Sequence, residues 1–184
     1  MDNIFEMGAT KRHGQTIGAF FSEVWERVKA KELLVIADSC GLVYYGNKQK
    51  CPANCELIMD IADEILFKNS IINDLGVVTP DFMIFQKNSY IMNNKETRIA
   101  GCPDLIVEVW SEDNSDKDRA FKKYLYATSP ATEHWYIEQD SNVVECWYGQ
   151  ERTENKSLGN ILVSRNGIKF DLRYLKLDNP ATAK

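Results

Sequence analysis

The chain has 184 residues, of which 44% are hydrophobic and 27% charged, with 10 Gly and 5 Pro. This composition indicates one domain large enough to close a single core, and it excludes both a disordered tail and a small disulfide-stapled scaffold. With 22 Lys and Arg against 27 Asp and Glu, the formal charge is −5. That balance excludes a protein that binds nucleic acid through a large overall positive charge. Any phosphate group would have to be bound by a local cluster of cationic side chains.

Targeting signals and cysteines favour the cytoplasm. The chain lacks the long apolar run of a membrane span, and its opening, MDNIFEMGATKRHG, lacks the apolar stretch of a secretory signal. The 5 cysteines are odd in number, which favours reduced thiols over a disulfide framework. Zinc binding by Cys51 and Cys55 is disfavoured, because two more ligands at suitable spacing are missing.

Hydrophobic periodicity predicts the first elements. Apolar residues recur at helical spacing from Gln15 to Lys29, which predicts a helix. The runs LLVIA (33–37) and LVYY (42–45) are short and rich in β-formers, and the polar residues between them predict a hairpin. The stretch 55–67 suits either a helix or a strand, and a helix is weakly favoured.

The next segments predict two neighbouring strands and a helix. VVTPDFMIF (77–85) and DLIVEVW (104–110) are β-branched runs separated by the polar stretch 88–96. Ser115 is positioned to cap a helix that runs to about Thr128, with two aspartates in its first turn. Its apolar side is expected to consist of Phe121, Tyr124 and Leu125.

The last third of the chain predicts two hairpins. HWYIEQ and VVECWY flank the turn 140–142, and ILVS and IKFDL flank Asn166 and Gly167. The order of elements predicts a mixed α/β or α+β domain. We expect a single domain over residues 1–178, followed by a loose tail over 179–184.

Two carboxylates stand in strands where apolar residues are expected. Asp81 follows Pro80 at the start of DFMIF, and Glu108 lies between Val107 and Val109. A buried carboxylate without a partner is costly, so Glu108 must meet a cation, a hydrogen-bond donor or a metal ion. Carboxylates from adjacent strands can converge on Mg²⁺. A structural hydrogen bond, an ion pair, or a strand face open to water remains an equal alternative.

Asp104 shares a strand face with Glu108, but a four-residue separation is about 13 Å in a strand, too far to chelate one ion together. Asp104 is therefore expected chiefly to order the turn that follows Pro103. The helix that starts after Ser115 offers a lysine for phosphate chemistry. On a helical wheel Lys122 borders the expected apolar side, whereas Lys123 points away from it, so Lys122 is the residue expected to reach the sheet. A solvated Asp118–Lys122 pair is the alternative.

The ordered runs VVTPDFMIF, GCPDLIVEVWS, DRAFKKYLYA and EHWYI resemble the signature of the Uma2 family (domain of unknown function 820), bacterial restriction-endonuclease-like proteins with a PD-(D/E)XK nuclease fold. The matching positions are Pro80, Asp81, Pro103, Asp104, Leu105, Glu108, Val109, Ser111, Asp118, Lys122, Tyr126, Ala127, Glu133 and Trp135.

The resemblance implies a central mixed sheet flanked by helices. It also implies that Asp81 and Glu108 bind Mg²⁺ or Mn²⁺ and that Lys122 is the catalytic lysine. In the general nuclease motif the lysine lies two residues after the second carboxylate, where this chain has Trp110. The family's lysine has moved to the following helix, which agrees with the position of Lys122.

The N-terminal region offers accessory residues. His13 resembles a family histidine ahead of the first helix, and the acidic residue and glycine turn that usually precede it are reduced to Glu6 and Gly8. His13 either contacts phosphate or positions water, or it belongs to a flexible basic entry segment. Asp104 is a further accessory candidate. The residues expected to contact the nucleic-acid backbone are Lys11, Arg12, Lys117, Arg119 and Lys123.

Together these features predict a Mg²⁺-dependent endonuclease that acts on DNA, in the cytoplasm, as a homodimer. His134, Trp110, Trp135 and Trp147 are expected to pack in the core. A non-catalytic DNA-binding or regulatory module that keeps the nuclease fold is the alternative. A phosphohydrolase of small molecules is a third interpretation.

Overall fold

The structure is a computed structural model. The residues that it describes are 6–37, 41–45, 75–86, 90–92, 98–101, 103–111, 114–127, 133–138, 142–149 and 151–173. The described helices are α1 (Glu6–Lys29) and α2 (Asp116–Ala127). The described strands are β1 (Leu33–Ala37), β2 (Gly41–Tyr45), β3 (Leu75–Val78), β4 (Phe82–Gln86), β5 (Tyr90–Met92), β6 (Arg98–Gly101), β7 (Leu105–Trp110), β8 (Glu133–Glu138), β9 (Val143–Tyr148), β10 (Glu151–Ser157), β11 (Ile161–Val163) and β12 (Lys169–Asp171).

A six-stranded sheet in the order β1-β4-β7-β8-β9-β10 forms the centre of the fold. Only β7 and β8 pair in parallel within it, and the other neighbours are antiparallel. A four-stranded sheet, β3-β2-β6-β5, and the pair β11-β12 complete the described strands. The fold is therefore mixed α+β around a mixed central sheet, as predicted.

The two faces of the central sheet carry separate cores, because side chains alternate along each strand. On the α1 face, Phe20 packs against Phe82 and Phe170, with ring centroids 5.7 and 4.9 Å away. On the opposite face, Trp110 stacks on Tyr136 with centroids 4.5 Å apart. Every residue of β7 is buried, so Glu108 lies within the protein interior.

The first helix begins earlier than predicted. It starts at Glu6 instead of Gln15, which places His13 inside the helix and not ahead of it. No proline interrupts this segment, so the periodic apolar residues from Ile17 onward can extend the helix toward the N-terminus.

The predicted hairpin of 33–37 with 42–45 is wrong. Strand β1 pairs antiparallel with β4, whereas β2 pairs with β3 and β6 in the other sheet. The run 77–85 also divides between the two sheets, since residues 79–81 lie outside any strand. Pro80 lacks the N–H that a continuous ladder needs. Its second half, β4, is nevertheless the neighbour of β7, with Phe82 opposite Val107.

The second helix is confirmed, but two of the three residues predicted for its apolar side are wrong. Ser115 Oγ accepts a hydrogen bond from the Asp118 N–H at 3.1 Å, as an N-cap does. Phe121 and Tyr124 are 37% and 73% exposed, and Leu125 and Tyr126 are the buried residues. The sheet surface beneath α2 carries carboxylates and aromatic rings, so the helix presents cationic side chains to it.

The hairpins β8-β9 and β11-β12 are confirmed. The sequence analysis missed three strands. Strand β5 lies within the predicted polar stretch 88–96, and β6 follows it. Strand β10 has the polar sequence ERTENKS, which shows no hydrophobic alternation. Residues 55–67, Cys51, Cys55 and 179–184 lie outside the described residues. Neither described helix combines the length and apolar character that a membrane crossing requires.

Candidate active site

The Glu108 carboxylate is the centre of the site. It projects from β7 with 1% of its surface exposed. Its Oε2 accepts a hydrogen bond from Lys122 Nζ at 2.9 Å, and its Oε1 accepts one from the Tyr126 hydroxyl at 2.6 Å. Because Lys122 and Tyr126 are four residues apart on α2, both side chains leave the same helix face. The helix therefore holds both oxygens of a carboxylate that the strand has buried.

Asp81 comes next to Glu108 through the register of the sheet. Since Phe82 lies opposite Val107, the preceding residue Asp81 comes opposite Glu108. Asp81 Oδ2 accepts a hydrogen bond from the Val109 N–H at 2.6 Å. Its Oδ1 lies 3.5 Å from His13 Nε2, and its side chain is 16% exposed. Helix α1 thus brings His13 to the same carboxylate that the backbone of β7 holds in place.

The electrostatics of the site follow from burial and from two neighbouring carboxylates. Burial raises the pKa of Glu108 to about 7, with Lys122 opposing this shift and Asp81 adding to it. Burial alone would lower the pKa of Lys122, but Glu108 raises it on balance. Burial and then Glu108 raise the pKa of Tyr126 well above its usual value. Lys122 therefore stays an ammonium and Tyr126 stays a hydroxyl that donates.

The donor set fits a hard divalent cation. Two carboxylates and one ammonium leave one negative charge uncompensated when Glu108 is ionised. Mg²⁺ is usually bound by one or two carboxylates and keeps several waters, so it does not need a cage of protein ligands. The described residues contain no group of three or more His, Cys, Asp or Glu arranged to hold a metal ion. Asp81 and Glu108 are the residues that would hold it.

Asp104 lies away from this centre. Its Oδ2 accepts a hydrogen bond from the Gln86 N–H at 2.8 Å, and its Oδ1 lies 3.5 Å from Asn166 Nδ2. These contacts join the start of β7 to the end of β4 and to the β11-β12 turn. Asp104 therefore orders the segment in front of Glu108 and is not part of the same carboxylate pair.

Arg119 and Lys123, which were predicted to contact nucleic acid, have partners within the fold. Arg119 donates to Glu138 Oε1 at 2.8 Å and to the Ser111 carbonyl at 2.5 Å. Lys123 donates to Glu145 Oε2 at 3.0 Å. The helical wheel placed Lys123 on the far side of α2, and this was wrong. The sheet-facing side of the helix carries Lys122 and Lys123 together with the buried Leu125 and Tyr126.

The other predicted contacts are peripheral. Lys117 is exposed and Arg12 is half-buried on α1. Glu6 and Lys11 lie in the first turns of α1, and their side chains are outside the described part of the structure.

His134 packs in the core as predicted. It is 1% exposed, with Nδ1 2.7 Å from the Tyr136 hydroxyl and Nε2 2.9 Å from the Gly149 carbonyl. Burial lowers its pKa to about 4, so it is neutral near pH 7. Trp135 is fully buried against Phe20 and Phe170.

Sequence reasoning gave Tyr126 no role, although it lies within the family-like run. The available signal was its spacing of four residues from Lys122, which places both side chains above the same strand residue. That signal was overlooked because the helix was expected to rest on the sheet through Phe121 and Tyr124.

Comparisons with known proteins agree with this fold. The crystal structure of a "putative nuclease belonging to DUF820" from Anabaena variabilis ATCC 29413 is similar, with a TM-score of 0.54 and 12% identity, covering 85% of this chain and 72% of that chain. At this identity the likeness shows the fold alone. No curated protein matches the chain. The model of the Uma2 family, described as "Putative restriction endonuclease", matches residues 59–178. Since that match covers more than half of the sequence, the chain belongs to the Uma2 family.

Proposed function

We propose that this protein is a metal-dependent DNA endonuclease that hydrolyses phosphodiester bonds with Mg²⁺ or Mn²⁺. The observation that carries the proposal is the buried Glu108 carboxylate, held at 2.9 Å by the Lys122 ammonium on the strand next to Asp81. Titratable groups whose pKa is shifted by burial and by a specific charged partner are concentrated at functional sites. The family description of a restriction endonuclease and the nuclease fold support the same reaction class.

Each residue has a role that follows from its contacts. Asp81 and Glu108 would hold the ion, which when bound polarises a phosphoryl oxygen and makes hydroxide available near neutral pH. Lys122 would orient water or neutralise charge that develops on the scissile phosphate. Tyr126 holds Glu108 through Oε1, and His13 lies beside Asp81. The burial of Glu108 keeps these groups in one arrangement before substrate binds.

The proposal includes the substrate and the assembly. The DNA backbone would be contacted by Lys11, Arg12 and Lys117. Arg119 and Lys123 are paired with Glu138 and Glu145. A cytoplasmic homodimer remains part of the proposal. Among the described strands β10 is the last of the central sheet, and an open sheet edge can pair with that of a second copy.

A non-catalytic DNA-binding module is the alternative, and one observation favours it. Both Glu108 oxygens already have a hydrogen-bond donor in the protein. A divalent ion would have to share these oxygens or displace Lys122. If the ion pair persists when DNA is bound, the chain would bind DNA without cleaving it.

Nicking of supercoiled plasmid separates the two functions. The native protein is expected to nick plasmid with Mg²⁺ or Mn²⁺ and to stop when EDTA is added. Glu108→Gln and Lys122→Met should each lower the rate by about 100-fold or more, because each removes a charge that acts on the transition state. The matched control Glu151→Gln changes an exposed carboxylate on β10 and should nick like the native protein.

Three results would contradict the endonuclease proposal. The native protein could retard DNA and leave it whole in every metal, which is the behaviour of the binding module. Glu108→Gln could nick as fast as the native protein. Hydrolysis of nucleotides without nicking of plasmid would instead indicate a phosphohydrolase of small molecules.

A further inference from the structure

Lys123 lies in a box of aromatic rings on the central sheet. Its Nζ is 5.0 Å from the ring centre of Trp110, 4.9 Å from that of Tyr136 and 5.6 Å from that of Trp147. These rings come from three successive strands, β7, β8 and β9. The box is completed by Glu145, whose Oε2 accepts a hydrogen bond from the same Nζ at 3.0 Å.

The box is itself held in place by its neighbours. Trp110 stacks on Tyr136 with ring centroids 4.5 Å apart. Trp147 Nε1 donates to Glu145 Oε2 at 3.3 Å, and Arg152 Nη2 donates to Glu145 Oε1 at 3.4 Å. An ammonium over several aromatic faces and beside an anchored carboxylate has one preferred position, unlike the ammonium of a solvated lysine.

Lys122 and Lys123 bind two different strands. The Lys122 ammonium binds Glu108 on β7, and the Lys123 ammonium binds Glu145 on β9. Glu108 and Glu145 are two strand spacings apart in the sheet, which is about 9.5 Å. Consecutive helix residues point about 100° apart, so the two lysines hold α2 from different sides. A rotation of α2 that takes Lys123 out of the box would also move Lys122 away from Glu108.

We infer that Lys123 is a positioning residue that fixes the rotation of α2 and thereby keeps the Lys122 ammonium on Glu108. The inference rests on the proposed function for its catalytic consequence, because Lys122 matters for cleavage only if the protein is a nuclease. The positional part concerns the Lys122–Glu108 contact alone and can be measured without DNA or metal.

The first experiment measures protection of the Lys122 amine. The full chain is pulsed with an amine-acetylating reagent, and mass spectrometry reads the acetylation rate at Lys122. In the native protein Lys122 is 15% exposed and paired, so its acetylation should be slow. Lys123→Met keeps an unbranched side chain of nearly the same length but removes the charge. It should raise the Lys122 acetylation rate by about threefold or more as the local contact opens.

Two further variants test whether charge in the box is the cause. Lys123→Arg keeps a cation that can lie over the rings and bind Glu145, and it should retain most of the protection. Lys117→Met removes an exposed lysine from the same helix and should leave Lys122 as protected as in the native protein. If Lys123→Met does not melt cooperatively, Glu145→Gln removes only the ionic partner and should raise the Lys122 rate in the same direction.

The catalytic consequence is read from plasmid nicking. Lys123→Met should lower kcat by about 10- to 100-fold, as expected when a catalytic group is displaced, with little change in KM for DNA. Lys123→Arg should restore most of kcat.

The inference is overturned if the folded Lys123→Met protein keeps native protection of Lys122, whatever the nicking assay shows. A native protein that never nicks, combined with faster Lys122 acetylation in Lys123→Met, overturns the nuclease proposal but supports the positional inference. The two failures are therefore distinguishable.

Discussion

Replacing Tyr126 with Phe removes one buried hydroxyl and changes little else. Tyr126 is fully buried, and its hydroxyl donates to Glu108 Oε1 at 2.6 Å. The phenyl ring of the variant fills the same space, so packing in this core should be preserved. The perturbation is therefore the loss of one hydrogen-bond donor to a buried carboxylate.

The size of the effect depends on whether Glu108 is charged. A hydrogen bond to a charged group contributes about 1.5–3 kcal/mol, and one between neutral groups about 0.5–1.5 kcal/mol. The pKa of Glu108 is about 7, so Glu108 is mostly an anion at pH 8.5 and mostly neutral at pH 5.5. We expect Tyr126→Phe to lower the free energy of unfolding by about 2 kcal/mol at pH 8.5 and by about 1 kcal/mol at pH 5.5.

The sign follows from linkage. The pKa of Glu108 is raised from 4.5 to about 7 by folding, so the folded state binds this proton more tightly and loses stability as pH rises through that window. The Tyr126 hydrogen bond opposes the shift. Its removal should raise the pKa of Glu108 further, by about one unit for each 1.4 kcal/mol. The gap between the two proteins should therefore open above pH 7.

Urea unfolding of both proteins at the two pH values, with EDTA present, measures this gap. Tyr124→Phe is the matched control, because Tyr124 lies on the same helix and is 73% exposed, and its effect should stay within about 0.5 kcal/mol. A loss that is equal at both pH values would refute the reasoning, since the hydroxyl would then not distinguish the charged from the neutral carboxylate.

Three other predictions concern stability. Burial lowers the pKa of His134 from 6.5 to about 4. Acidification through that range therefore destabilises the folded state through His134, whereas it stabilises the folded state through Glu108. The Glu108→Gln variant lacks the compensating effect, so on acidification from about pH 6.5 to 4.5 its free energy of unfolding should fall by about 1.4 kcal/mol more per pH unit than that of the native protein. Urea unfolding measures this, and an equal pH dependence in the two proteins would contradict it. Gly18→Ala adds a methyl to open space in α1 and should stabilise by about 0.5–1 kcal/mol, whereas Gly167→Ala, at φ +76°, should destabilise by about 1–2 kcal/mol. Thermal melts that shift in the same direction would contradict one of these two assignments. Arg119→Met should cost about 1.5–3 kcal/mol, because Arg119 donates to Glu138 and to the Ser111 and Asn114 carbonyls, whereas Lys117→Met should change the free energy of unfolding by less than about 0.5 kcal/mol.

The sequence alone was sufficient to predict an element where the pattern lies within that element and its ends. The apolar run around Glu108 predicted a strand, and the unusual carboxylate within it marked the residue that most needs a partner. Ser115 predicted the start of α2, and the turn at Asn166 and Gly167 predicted a hairpin. Each of these depends on residues within one element and its ends, where backbone geometry imposes a period of 2 or 3.6 or a capping requirement.

Other features depended on partners that are remote in sequence. The helical wheel predicted that Lys122 reaches the sheet, yet it placed Lys123 in solvent and Phe121 in the core. It assumed that α2 would dock through apolar residues, whereas Glu108 and Glu145 lie 14 and 22 residues away from their lysines and give the sheet an acidic surface.

Strand pairing shows the same division. The β-rich residues of β1 and β2 specified strands, but β1 joined β4 and β2 joined β3 and β6. An isolated strand exposes the same donors and acceptors to any neighbour, so its pairing is selected by the packing of the whole sheet. The sequence by itself determined the apolar strands, such as β7 and β8, and it showed that Glu108 needs a partner. The tertiary structure alone decided which cations and hydroxyls meet them, because those contacts form between segments that only folding brings together.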